Sequence, residues 1–334
     1  MLQKYFLLPV GFLIAAGLSA QTRVLLNDSF ISGSTGYIGK SGANNSGTPG
    51  VQAPDSGPNS SAFWYGNGST YSYPTAGTNP ILYANNQNGN GSLSLNPTSF
   101  NGLTQSVTAY FESPGSYQSI DRGGTLKVSF DFNGFSKPSR IGTSTGIRFL
   151  LFNSGSTDTV NNQLAKNSGD SGGAYASFSN YSGYFVGFNP AAATHTALTA
   201  IYTRSTPGSA NIITTNPAPE NKLGGNRGKG PGLTGPDTYR ATLTLTYNDS
   251  GGNMTIEFGL TDVTNPSNNP ALAGYATVAT DTGDPNPIVT SFDGLTIGAL
   301  GAVNTPLTIT NVRITYTKPG PPLSPPAVSP PSGN

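Results

Sequence analysis

The chain has 334 residues, a formal net charge of +1, only 9% charged residues and no cysteine. The missing thiols exclude disulfides, thiolate metal sites and cysteine nucleophiles, and the near-neutral charge leaves no electrostatic footprint for nucleic acid or an anionic membrane surface. Apolar residues make up 35%, punctuated by 44 glycines and 27 prolines, so a core can form only if the short apolar runs are strands and the rest is loop.

Residues 1–20 read as a signal peptide. Lys4 gives a short basic n-region, "YFLLPVGFLIAAGL" an apolar h-region, and Ala20 a small residue before a cut at Gln21. The mature chain that this implies is secreted, extracellular or on the outer cell surface, and no later stretch is apolar enough for a membrane span. "NDS" at Asn27–Ser29 is oxygen-rich and reads first as a turn.

"SAFWYGNGSTYSYP", Ser61–Pro74, holds the only tryptophan. With "GNGS" as a four-residue hairpin loop, Tyr65 would pair with Thr70, and Trp64 would share one face with Tyr71 and Tyr73. Those three are the candidate ligand-binding residues, a stacking platform for a sugar. The competing reading makes Trp64 the plug of the core.

Alternation with period two marks the strands that follow. "TLKVSFDF" turns Leu126, Val128, Phe130 and Phe132 to one side, while "GIRFLLFN" is apolar without a break, as in a central strand covered on both faces. The glycines of "SGYFVGFN" suggest close backbone approach or a bend. "NPAAATHTAL" could make at most a turn or two of helix. "APENKLGGNRGKGPGLTGPD" reads as a long mobile insertion.

"TYRATLTLTY", "NDSGGN" and "MTIEFGL" form a hairpin with Tyr239, Ala241, Leu243, Leu245 and Tyr247 inward, and Arg240, Thr242, Thr244 and Thr246 outward. "DTGDPN" offers Asp281 and Asp284 as hard oxygen ligands, so a structural calcium is the metal this chain could take, although plain turn chemistry is the preferred reading of the same residues. No other cofactor is expected. In "LTITNVRITY", Leu307 and Ile309 are out of phase with Val312, Ile314 and Tyr316, which predicts a β-bulge near Thr310–Asn311. The proline-rich stretch 318–334 should be extended polyproline II outside any core.

Three strings look catalytic and are not. "GDSGG" at Gly169–Gly173 matches the serine-protease nucleophile pentapeptide, but the only histidine, His195, follows it in the chain. "GGNRGKG" has three residues where a phosphate loop needs four, and lacks its Ser or Thr. The three glutamates, Glu112, Glu220 and Glu257, do not share a strand. Glu257 should face solvent, and Glu220 falls in the long loop. Aspartates could still pair across the fold into a carboxylate pair.

About twelve strands with turn chemistry between them, and almost no helix after the signal peptide, define an all-β, antiparallel two-sheet β-sandwich over residues 21–317. The ordered set "LLNDSF", "SAFWY", "GLTQSVTAYF", "GGTLKVSFDF", "FDGLTIGAL" and "LTITNVRITY" resembles exported bacterial proteins with a concanavalin A-like lectin/glucanase jelly roll, often of the PEP-CTERM-sorted type. The resemblance covers most of residues 24–316. It implies a jelly roll whose concave face can bind carbohydrate. It transfers no catalytic residue, because the glucanase carboxylate strand is missing, and the chain lacks the terminal apolar helix of the sorting signal. The expected function is a non-catalytic, secreted or surface module that binds polysaccharide or cell-envelope glycan, not an enzyme. A structural or adhesive envelope protein is the alternative, and a polysaccharide lyase or hydrolase a third reading.

Overall fold

The computed structural model describes residues 20–30, 36–38, 65–68, 81–84, 91–95, 104–112, 116–133, 146–155, 180–188, 199–204, 220–226, 237–268, 273–278, 288–300 and 307–320. In chain order these form β1 (Thr22–Asp28), β2 (Gly36–Ile38), β3 (Tyr65–Gly68), β4 (Ile81–Ala84), β5 (Ser92–Leu95), β6 (Thr104–Tyr110), β7 (Gln118–Ser119), β8 (Thr125–Asn133) and β9 (Gly146–Asn153). There follow β10 (Ser182–Phe188), β11 (Thr199–Arg204), β12 (Glu220–Asn226), β13 (Tyr239–Tyr247), β14 (Met254–Asp262), β15 (Ala273–Val278), β16 (Ser291–Phe292), β17 (Gly294–Leu300) and β18 (Leu307–Thr317). The excess over about twelve comes from short pieces such as β2, β7 and β16. One 3-10 turn, Pro266–Asn268, is the only helical element lying wholly among the described residues.

Every strand pair is antiparallel. One layer runs β2-β4-β5-β18-β8-β13-β14-β15, with β1 beside β5 on the same edge of β18; the other runs β12-β11-β10-β9-β17-β6-β3. The layers face each other through aromatic side chains. Phe130 of β8 meets Phe149 of β9 edge-on at 5.4 Å, and Phe258 of β14 lies 5.2 Å from Phe188 of β10 and 5.6 Å from Phe149. Such offset and edge-on pairs add to the large area each ring buries. At one side β12 pairs with β15 through Gly225↔Tyr275 and Asn226↔Gly274, so the hydrogen-bonded ladder continues from one layer into the other. The fold is therefore an all-β, antiparallel two-sheet sandwich.

The alternation read from the sequence is borne out where it was clearest. On β8, β13 and β14 the apolar set is buried, except that Tyr247 at the end of β13 is only partly so, and Lys127, Arg240 and Glu257 point out. The β13–β14 hairpin closes at Tyr247↔Met254, with Gly251 and Gly252 at φ 90° and 59°, values that side chains with a Cβ rarely adopt. β9 is buried on both faces. Its outward ring, Phe152, joins a second layer, in which it stacks on Tyr181 at 4.8 Å and the Tyr110 and Tyr181 hydroxyls bond at 2.6 Å. Gly183 of β10 does mark a close approach: a Cβ there would lie 2.1 Å from the Leu151 carbonyl oxygen.

The expected bulge is present. Thr310 pairs with Asp131, and the ladder resumes at Arg313 opposite Ser129, so β18 spends one residue more than β8 over the same interval. Asn311 takes φ 52°, and Ile309, Val312 and Ile314 all reach the core.

Two expectations fail. Glu220–Asn226, read as part of a mobile insertion, is β12, paired with β11 from Arg204↔Glu220 to Ala200↔Gly225. Gly66–Gly68, read as a hairpin loop, lies in β3 and pairs with β6, Tyr65 opposite Thr108 and Gly68 opposite Gln105. The reason is the same in both: Gly and Asn carry turn propensity, but pairing with a distant strand satisfies the backbone equally well and overrides it. Of the stretches expected to be a signal peptide and a proline-rich tail, residues 1–19 and 321–334 lie outside the described residues.

Candidate functional site

The site grows from the bulge. An extra residue leaves both Thr310 and Asn311 on the outer face of the first layer, and the left-handed conformation of Asn311 suits an Asn better than most residues. Its Nδ2 donates to Asp131 Oδ2 at 2.9 Å. Asp131 lies opposite Arg240 in the β8–β13 ladder, and the guanidinium closes on it as a fork, Nε to Oδ1 at 2.7 Å and Nη2 to Oδ2 at 2.9 Å. The Asp131 side chain is 3% exposed and that of Arg240 48%. The hydrogen bonds that Arg240 donates to Asp131 raise the Arg240 pKa above its ordinary value, against the opposing effect of burial. Arg240 is thus held as a fixed cation at the surface.

Around this pair is a groove of about 520 Å³. β8 contributes Lys127 and Ser129, and β13 contributes Arg240 and Thr242. β18 adds Asn311, Arg313 and Thr315, and β1 adds Thr22 and Asn27. All are outward positions of four adjacent strands, placed by register: Asn27↔Arg313↔Ser129↔Thr242 is one row. A second row is Thr22↔Thr317↔Thr125↔Thr246↔Thr255, in which Thr22 and Thr317 hydroxyls bond at 2.9 Å. The groove therefore offers hydroxyls, amides and cations on a rigid sheet.

Trp64, Tyr71 and Tyr73, the expected platform, lie outside the described residues, as do Asp281 and Asp284, His195 and the "GDSGG" string. Among the described residues no group of three His, Asp or Glu could hold a metal. The Asp28 carboxylate of the "NDS" turn accepts the Phe30 amide at 2.8 Å, which is turn chemistry.

The carboxylates do meet in one place. Glu112 accepts from Arg23 Nη2 at 3.1 Å and sits close enough to Asp293 for their charges to repel. Asp293 is 1% exposed. Ser154 donates to it twice, from its amide at 3.0 Å and its hydroxyl at 2.5 Å, tying the end of β9 to the start of β17. Both oxygens are engaged in holding the chain. Burial pushes the Asp293 carboxyl up to about 6, helped by Glu112 and opposed by the Ser154 bonds. A carboxyl raised above its unfolded value near 3.8 stabilises the fold fully below about pH 4, and that contribution is lost as pH rises through about 6. Two units correspond to at most about 3 kcal/mol. Asp293→Asn keeps both contacts, with the amide donating to the Ser154 hydroxyl, and removes the ionisation. Denaturant titrations from pH 4 to 7 should show the wild type losing stability relative to the variant across this window. Parallel profiles would refute the assignment.

No protein-family model and no curated protein matches the chain. Among solved structures, it is similar to a protein of unknown function with galectin-like fold from Bacillus subtilis, at 12% identity over 77% of this chain and 90% of that one, with a TM-score of 0.41. It is similar to lectin II from Ulex europaeus, at 13% identity over 76% and 92%, with a TM-score of 0.37. It is also similar to the carbohydrate recognition domain of Emp46p in its potassium-bound form, at 12% over 75% and 87%, with a TM-score of 0.38. These values carry no argument about activity, and none of these three structures bears on the PEP-CTERM-sorted bacterial type.

Proposed function

We propose that the chain is a non-catalytic, secreted or surface-exposed β-sandwich module that binds polysaccharide in the groove on the outer face of its first layer. The observation that carries this reading is the groove itself: about 520 Å³, floored by a locked Asp131–Arg240–Asn311 set and walled by serine and threonine hydroxyls. Fixed donors and acceptors on neighbouring strands are what the repeated hydroxyls of a sugar chain require, and rigid strands hold them without an ordering cost on binding. The signal peptide expected at residues 1–20 and the 9% content of charged residues fit an exported chain, and the resemblance to lectin/glucanase jelly rolls points the same way.

The test is affinity electrophoresis and calorimetry against a panel of neutral and acidic polysaccharides, with Thr242→Val as the probe. Valine keeps the shape and the strand propensity but deletes one hydroxyl in the middle of the groove, so affinity should fall about three- to tenfold while the fold is kept. Self-association in sedimentation together with no retention on any polysaccharide would favour the adhesive envelope reading instead.

A further inference from the structure

We infer that the groove selects acidic polysaccharide, a chain bearing carboxylate or sulfate groups, over neutral glycan; this rests on the glycan-binding reading above. The chain as a whole is nearly balanced, with 16 Lys and Arg against 15 Asp and Glu. The groove is not. Lys127, Arg240 and Arg313 all line it, and the one carboxylate among them, Asp131, lies beneath and is bound by Arg240. Arg240 still exposes about half its side chain. Lys127 and Arg313 are exposed and, among the described residues, make no ion pair.

Register sets the three along one groove. Thr315 is opposite Lys127 and Arg313 opposite Ser129, so Lys127 and Arg313 are diagonal neighbours across β8 and β18. Arg240 stands opposite Asp131, diagonal to Ser129 on the other side. Diagonal positions lie roughly 7–8 Å apart, so Lys127 and Arg313 can reach one ligand group, while Arg240, diagonal to neither, stands further along the groove for another. Glu257 is two strands from Lys127, with Thr244 between, and is not part of the groove. An ordinary solvated face mixes both signs of charge. Here the positions between the cations carry Ser129, Thr242 and Thr315, which can bond sugar hydroxyls while the cations take the anionic substituent. Carboxylate and sulfate groups each present a pair of oxygens that matches the guanidinium fork. A neutral sugar would strip water from these cations and return no charge.

The experiment compares pairs with one backbone and two charge states: polygalacturonate against its methyl ester, and dextran sulfate against dextran. The intact protein should bind at least one acidic member about tenfold or more tightly than its neutral partner, more weakly as salt rises from about 50 to about 300 mM. Which acidic member binds separates carboxylate from sulfate. Lys127→Gln and Arg313→Gln should each weaken acidic binding about tenfold, while Arg122→Gln, outside the groove, should not. Equal binding of neutral and acidic partners would overturn the charge selection and leave glycan binding standing. Binding to none of the polymers would overturn both. Equal binding to single-stranded DNA, or no change in the Lys127 and Arg313 variants, would also overturn the proposal.

Discussion

Gly91→Ala should destabilise the protein by on the order of 4 kcal/mol, the largest effect expected of any single methyl group added here. A Cβ at Gly91 would stand 1.7 Å from the Phe30 carbonyl oxygen, 2.0 Å from its carbon and 2.7 Å from its Cα. All three are backbone atoms, so no rotamer change relieves the clash. Nor can Phe30 retreat easily. Its ring is fully buried, its φ is 58°, and its amide is bonded to Asp28 at 2.8 Å. The start of β5 would have to leave the end of β1, loosening both strands from the edge of β18. Thermal and denaturant unfolding measure the effect, with Gly259→Ala as control. A Cβ at Gly259 meets nothing within 4 Å, so that variant should stay within about 0.5 kcal/mol of the parent. Equal stability of the two variants would show that Phe30 and Gly91 do not pack as described.

Arg240→Met should cost about 3 kcal/mol. It removes the fork that satisfies a carboxylate only 3% exposed and leaves Asp131 with the Asn311 amide alone. Breaking a buried pair from one side costs about 3–5 kcal/mol, and the half-exposed guanidinium places this case at the lower end. The effect belongs to the stranded charge rather than to the net worth of the pair. Asp131→Asn in the Arg240→Met background should therefore recover most of the loss. A double-mutant cycle by urea unfolding measures it. Additive single and double losses would mean that the pair is not coupled. Binding gives a second readout: the double variant should fold well yet bind polysaccharide poorly, because the Arg240 cation would be lost from the groove while Asn311 can still donate to the new amide oxygen.

Local alternation is enough to read the inward faces of β8, β13 and β14 and the bulge in β18, because each depends on neighbours two residues apart. The long-range pairings are not legible in that way. Nothing near "ENKLGGN" announces that its backbone will join β11, and nothing near "YGNG" points to β6. The groove escapes a sequence reading for the same reason. Taken alone, Arg240 and Thr242 are the polar face of β13, and the phase break at Asn311 is a bulge. Only the register of β1, β18, β8 and β13 turns these separate facts into one site. One signal was available: Asp131, between Phe130 and Phe132, is the one acid on the outer face of β8, whose other outward residues are Thr125, Lys127, Ser129 and Asn133.

β18 lies in the interior of its layer, between β8 and the β1–β5 edge, although it is the last described strand of the chain. The hydroxyl bond between Thr22 and Thr317 joins residues 295 positions apart. During synthesis, then, β1 has no partner among the described strands, β8 has one open side, and the layer has a gap until residues 307–317 have emerged. Contacts of such sequence separation are the slow ones to form. A nascent chain cannot complete this layer early, and a truncation that removes β18 takes away the strand to which β1, β5 and β8 all bond.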